Sequence, residues 1–226
     1  MEKYNYKSST LTIFMKDFRS ELRTRYALNA LLMFVITTLS IIMFAIGQES
    51  PSVEILAGML WIVIFFSAMS GMSRSFISEE ERGTVMTLHL IATPASVYFG
   101  KLIFNLVLMI SMNIFTVLLY FLVIPNFVVR SFDVFVITMF LGTVGLSCSA
   151  TIIAAIIAKS TTKGTLYPVL SFPILLPLLL AVISATKMAI EGATIRLASG
   201  EFQILASYIL VITAASYILF DYIWKD

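Results

Sequence analysis

Six stretches of about 20 mainly apolar residues constrain this chain more than anything else in it. They fall at Ala27–Gly47, Ile55–Met72, Leu102–Val123, Val134–Ala158, Thr165–Thr186 and Ile204–Ile223, and none has Lys, Arg, Asp or Glu in its central part. A helix of about 20 residues crosses a hydrocarbon core about 30 Å thick with every backbone group paired internally. A membrane barrel would instead show short alternating segments. Of the 226 residues 59% are hydrophobic and 12% charged, against about 45–50% and 25% in soluble domains, which leaves no stretch for a water-soluble core. The expected fold is all-α: a polytopic membrane protein with six transmembrane helices, preceded by an amphipathic interfacial helix over 1–26.

The loops set a direction. With the N-terminus inside, inner segments hold Lys3, Lys7, Lys16, Arg19, Arg23, Arg25, Arg74, Arg82, Lys101, Lys159, Lys163 and Lys225, and outer segments only Arg130, Lys187 and Arg196. That positive-inside bias, with an even number of spans, predicts both termini in the cytoplasm. The opening MEKYNYKSST lacks the basic-apolar-small pattern of a cleaved signal, so the first block is expected to stay as a span. Before it, Leu11, Phe14, Met15, Phe18 and Leu22 recur at helical spacing, with Lys16, Asp17, Arg19, Glu21, Arg23 and Arg25 on the other face. This predicts a helix on the inner membrane surface, serving as an anchor or as a docking surface.

Energy and chemistry are not visible in the chain. It has no GxxxxGK[ST] phosphate loop, no clustered His and Cys to hold a metal, and no acids in the spans for a proton relay. His89, the single histidine, lies in an inner loop. Cys148, the single cysteine, sits between Ser147 and Ser149 with no base expected nearby, so these read as packing residues. The chain is expected not to be an enzyme, to bind no metal and no nucleic acid, and to borrow energy from another subunit if it pumps at all.

The inner loop over 73–101 is the most specific segment. Ser78 and Glu81 have the spacing of a capping box, which puts Glu79, Glu80 and Glu81 in a first helical turn. Gly83 breaks that turn, Thr84 caps a second short helix with Val85, Met86, Leu88 and Leu90, and Pro94 closes it. The segment is a capped surface loop or a lever that plugs into a soluble partner. In the fourth span Gly142, Gly145, Ser149, Ala150, Ala154 and Ala158 are close-packing positions, for this chain or for another subunit. In the fifth, Pro168, Pro173 and Pro177 predict a kinked or broken helix lining an interior cavity. Between the last two spans Met188, Ile190, Ile195 and Leu197 suggest a short outer helix.

The loop resembles that of the ABC-2 type export permeases, and most of all the heme exporter protein B family of cytochrome c maturation. Phe76, Glu79–Glu81, Gly83-Thr84, Leu88, Leu90, Pro94 and Gly100-Lys101 carry the likeness, with LYPVLSFPILLPLLLA at Leu166–Ala181. That family usually has Leu-Glu where this chain has Val85-Met86. The resemblance implies one ABC-2-like permease domain over 1–226 in a bacterial inner membrane. It implies a coupling loop made by Phe76, Glu79, Glu80, Glu81, Arg82, Gly83, Thr84, Leu88 and Pro94, seated on a separate ATPase that binds the ATP. It also implies a tryptophan-rich heme-handling membrane protein and a periplasmic-side heme chaperone as partners beside membrane lipid, with heme as a possible cargo. Two other readings stay open: the same fold with a drug, lipid or polysaccharide cargo, and a membrane scaffold that transports nothing.

Overall fold

The structure is a computed structural model that describes residues 6–225 except 48, 73, 82 and 160–162; the side chains of residues 6–8, 26, 74, 80, 81, 163–170 and 225 are outside the described set. Among the described residues the regular structure is all helical, in the order α1 (Tyr6–Thr24), α2 (Tyr26–Ile46), α3 (Val53–Met72), α4 (Arg74–Glu81), α5 (Val85–Ile91), α6 (Pro94–Val123), α7 (Phe132–Ala158), α8 (Lys163–Glu191) and α9 (Ser199–Lys225). Six helices among the described residues are long and apolar enough to cross a membrane. They are α2, α3, α6, α7, α8 and α9, one for each apolar block.

Local chemistry explains the boundaries. Between α1 and α2 Arg25 has φ 51°, a left-handed conformation that L-residues avoid. This one residue separates the amphipathic helix from the first span. Glu21 reaches across it, its Oε1 accepting from the Leu28 N–H at 2.9 Å and satisfying a free donor of the first turn of α2. At the start of α6 Thr93 is extended, as the residue before a proline prefers. Its hydroxyl accepts from the Ser96 N–H, and Pro94 takes the first helical position, where no donor is needed. Pro94 therefore opens α6 rather than closing α5. Residues 94–101, expected as loop, are the first two turns of that helix.

α7 is the central strut, packed against α3, α4, α6, α8 and α9. Small residues make this possible. A Cβ on Gly142 would fall 2.3 Å from the ring of Trp61 and 2.9 Å from Val182, and Trp61 is held in place by its Nε1–H donating to Thr186 Oγ1 at 2.8 Å. Gly145 meets Leu178 in the same way, Ala154 is fully buried, and Ser149 Oγ lies 2.7 Å from Tyr208 Oη. These positions pack this chain's own helices together.

α8 corrects two expectations. It runs as one helix through Pro168, Pro173 and Pro177, so it is not broken. Pro173 and Pro177 are exposed on its outer face, while Leu175, Leu178, Val182 and Ala185 fill the buried one, so these prolines do not line an interior cavity. Pro173 and Pro177 leave the carbonyls of residues 169 and 173 without their helical donors, which a span tolerates where nearby groups can re-satisfy the backbone; Tyr208 Oη donates to the neighbouring Ile174 carbonyl at 3.0 Å and ties α9 to α8. The short outer helix is not formed either: α8 absorbs Met188 and Ile190, and turns carry Ile195 and Leu197 into α9.

Gly142→Ala is expected to cost about 1–3 kcal/mol, as overpacking does, and to lower the unfolding temperature in detergent. Gly58→Ala, where an added Cβ meets nothing within 4 Å, should leave that temperature unchanged or raise it.

Candidate functional site

At the end of the bundle where α1 lies, α4 and α5 form an elbow between α3 and α6. Gly83, with φ 68°, makes the bend. The elbow is built around a buried cation. Lys101 sits two turns into α6, where the apolar run begins, and its side chain is 1% exposed. Its ammonium donates to Ser75 O at 2.8 Å, to Asp17 Oδ2 at 3.1 Å and to Glu79 Oε1 at 3.2 Å, and stands 5.1 Å from the centre of the Phe76 ring. Lys16 pairs with the same Glu79 oxygen and lies 3.3 Å from Asp17. Two ammoniums thus face two carboxylates contributed by three elements, α1, α4 and α6.

Burying an ion pair is costly, and it persists only where the remaining donors and acceptors are also satisfied. They are satisfied here: the other oxygen of Glu79 accepts from the Thr84 hydroxyl, and the Glu79 carbonyl accepts from the Thr84 N–H at 3.0 Å. This arrangement corrects the capping scheme. α4 begins at Arg74, so Ser78 lies inside it and the acids occupy its last turn, not its first. The helix dipole disfavours negative charge at that end, and for Glu79 the two lysines outweigh it. Thr84 occupies the N-cap position of α5, but its hydroxyl caps nothing there, because it is turned back to Glu79. Arg82 and the side chains of Glu80, Glu81 and Pro168 lie outside the described residues.

α5 sends Leu88 into the core, with Val85 partly buried beside it, and leaves its other apolar side chains bare. Leu88 is buried, whereas Met86 is 78% and Leu90 84% exposed, with Ile91 also exposed. Behind the tip runs a chain of rings. His89 stacks on Trp224 at 4.3 Å, Trp224 on Phe220 at 5.6 Å, and Phe220 meets Phe76 at 5.6 Å. The single histidine is therefore part of an aromatic contact between α5 and α9, and no group of acids, His or Cys among the described residues could hold a metal.

A polar seam joins α6 to α7. Asn105 donates to Thr151 Oγ1 at 2.9 Å and Asn113 to Thr143 Oγ1 at 2.7 Å, all four side chains being buried. Cys148 is buried, with Thr213 Oγ1 at 3.6 Å from its Sγ.

A family model for the CcmB protein matches residues 8–220. The chain belongs to the CcmB family. Among curated proteins none matches it. Membership makes it an integral membrane subunit of heme export and cytochrome c maturation, in a family of transporter permease subunits. The match takes in nearly all of α1, the elbow and the six apolar helices up to residue 220, short of the end of α9.

Of the loop residues singled out from sequence, the structure brings Phe76, Glu79 and Thr84 together around Lys101, places Gly83 at the bend and buries Leu88, and sets Pro94 apart as the start of α6. Sequence reasoning did not assign Lys16, Asp17 or Ser75 to the site, and took Lys101 only as part of a motif. A lysine at the mouth of an apolar run with no nearby acid was the available signal. Asn105 and Asn113, two amides eight residues apart in one span, were a second.

Lys101→Met is expected to destabilise the protein by about 3–5 kcal/mol, the cost of stranding a buried partner, in unfolding followed through Trp61 and Trp224. The double variant Lys101→Met/Glu79→Gln should recover part of that loss, and Lys101→Arg should lose less than Lys101→Met.

Proposed function

We propose that this chain is the single-domain, membrane-spanning permease of a heme-handling ABC complex, and that a separate ATPase drives it through the α4–α5 elbow. The observation that carries the reading is the contrast within the elbow. Its root is held by buried ions and hydrogen bonds, while its tip presents Met86, Leu90 and Ile91 unburied. Apolar groups displayed on a rigid support are what a partner's groove accepts. Family membership supplies the kind of complex, and the chain's own lack of a phosphate loop is the reason for assigning ATP to the other subunit.

In this reading α5 is the coupling helix, and Glu79 is an internal strut rather than a contact to the ATPase. Hydrolysis in the partner moves the tip, and the ionic root passes the displacement to α1 and α6. The cargo step is export of heme, or release of a loaded heme chaperone on the periplasmic side, with a tryptophan-rich heme-handling membrane protein alongside. Family membership favours a bacterial inner membrane, and the excess of Lys and Arg at the elbow end favours both termini in the cytoplasm.

The test separates tip from root. Leu90→Asp and Met86→Asp together should abolish co-purification of the ATPase while leaving the unfolding temperature within a few degrees. Retention of the ATPase by that variant would remove α5 as the docking element. In whole cells, a cysteine at position 90 should react with a membrane-impermeant maleimide only after the cells are opened. Labelling in intact cells would reverse the orientation.

A further inference from the structure

A groove of about 1060 Å³ opens between α1 and the adjoining ends of α2, α3, α4 and α6, at the large end for a small-molecule pocket. It lies beside the ionic root, and its position is set by packing. Ile13 of α1 rests against Gly100 so closely that a Cβ there would be 2.8 Å away. This pins α1 to α6 one residue before Lys101, at the border of the apolar run.

The groove has two chemistries. One wall is apolar, with Leu11, Met15, Ala27, Ala30 and Phe104; Leu11 and Met15 are exposed, and Ala27, Ala30 and Phe104 belong to spans. The other carries charge. Its acids are already engaged: Glu79 and Asp17 with the lysines, and Glu21 with the Leu28 N–H. Arg19 and Arg23 line the same groove, and neither has a carboxylate partner among the described residues. Two further polar atoms are unsatisfied there. Asn105 is fully buried, with Oδ1 lacking a partner among the described residues, and the buried Ser75 Oγ lacks one too. The amide of Asn105 cannot simply be turned round, because Thr151 Oγ1 already donates to the Ser147 carbonyl at 2.6 Å and must accept from Nδ2. Its Oδ1 therefore needs a donor from elsewhere.

We propose that this groove binds one anionic glycerophospholipid from the leaflet on which α1 lies, with its phosphate at Arg19 and Arg23 and its acyl chains along Leu11, Ala30 and Phe104. A phosphoglycerol headgroup meets each unsatisfied group. Its phosphate takes the two guanidiniums and the Ser75 hydroxyl, and its own hydroxyls donate to Asn105 Oδ1. A free anion would leave the apolar wall bare, and a zwitterionic lipid would bring a cation toward the arginines. The inference goes beyond the permease reading and does not depend on an ATPase.

Native mass spectrometry of the full chain in detergent, with phosphatidylglycerol, phosphatidylcholine or inorganic phosphate added back, tests it. One phosphatidylglycerol should be retained in preference to phosphatidylcholine, and phosphate alone should not bind. Arg19→Ala/Arg23→Ala should weaken retention roughly 10- to 30-fold, the worth of two cations at an anionic surface. Ala30→Phe, which fills the apolar wall and keeps both arginines, should weaken it as well; Arg196→Ala at the opposite end should not. Equal retention of the two lipids, binding of phosphate alone, or undiminished retention in Ala30→Phe would each overturn the proposal. Should the double arginine variant fail to fold, Arg19→Gln and Ala30→Phe carry the same decision.

Discussion

The ammonium of Lys101 has almost no contact with solvent, and the geometry of the elbow follows from what must surround it. A buried cation requires anions and acceptors at short range, and no one helix of this chain can supply them. α1 contributes Asp17, α4 contributes Glu79 and the Ser75 carbonyl, and the Phe76 ring closes one side. Lys16 then balances the second carboxylate. Four charges summing to zero hold an amphipathic helix, an elbow and a span in one relation. An apolar contact of the same area would tolerate sliding; charge-assisted hydrogen bonds with fixed directions do not.

Inside the bundle the means of attachment change. Water is absent from a hydrocarbon core, so association there relies on close packing and on hydrogen bonds between helices. Both occur on α7. Its glycines receive Trp61 and Leu178, and its hydroxyl groups face Asn105 and Asn113. Such bonds average only about 0.6 kcal/mol in membrane proteins, so the seam matters more for register than for stability. Slipping α6 by one residue would turn both amides away from their threonines together.

The spans were readable because apolar length is a one-dimensional property. Each of the six blocks became a helix whose ends lie within a few residues of the expectation, apart from the start of α6, the end of α8 and the start of α9. The elbow was readable as a segment but not as an arrangement. Ser78 and Glu81 have the spacing of a cap, yet the same spacing occurs inside any helix, and nothing nearby in the sequence shows that α4 already starts at Arg74. Glu79 finds Lys16 across 63 residues and Lys101 across 22, pairings that only the packing of α1 on α6 creates. The prolines of α8 misled for a related reason. A missing donor reveals that a helix is perturbed, but not which face of it is outward.

The contacts of α5 decide what kind of part it is. A loop that merely covered the end of the bundle would attach at many points and expose polar groups. α5 instead attaches at both ends of a short rod. Thr84 ties its start to Glu79, and the stack of His89 on Trp224 ties its far turn to α9. The first attachment leads through Lys101 to α6 and through Lys16 to α1, and the second leads through Phe220 back to Phe76. The two routes converge on the same lysine, so a force on the exposed Leu90 would be shared by α1, α4, α6 and α9 at once. A part with that layout suits the transfer of whole-body movement between subunits better than it suits binding a small molecule at its own surface.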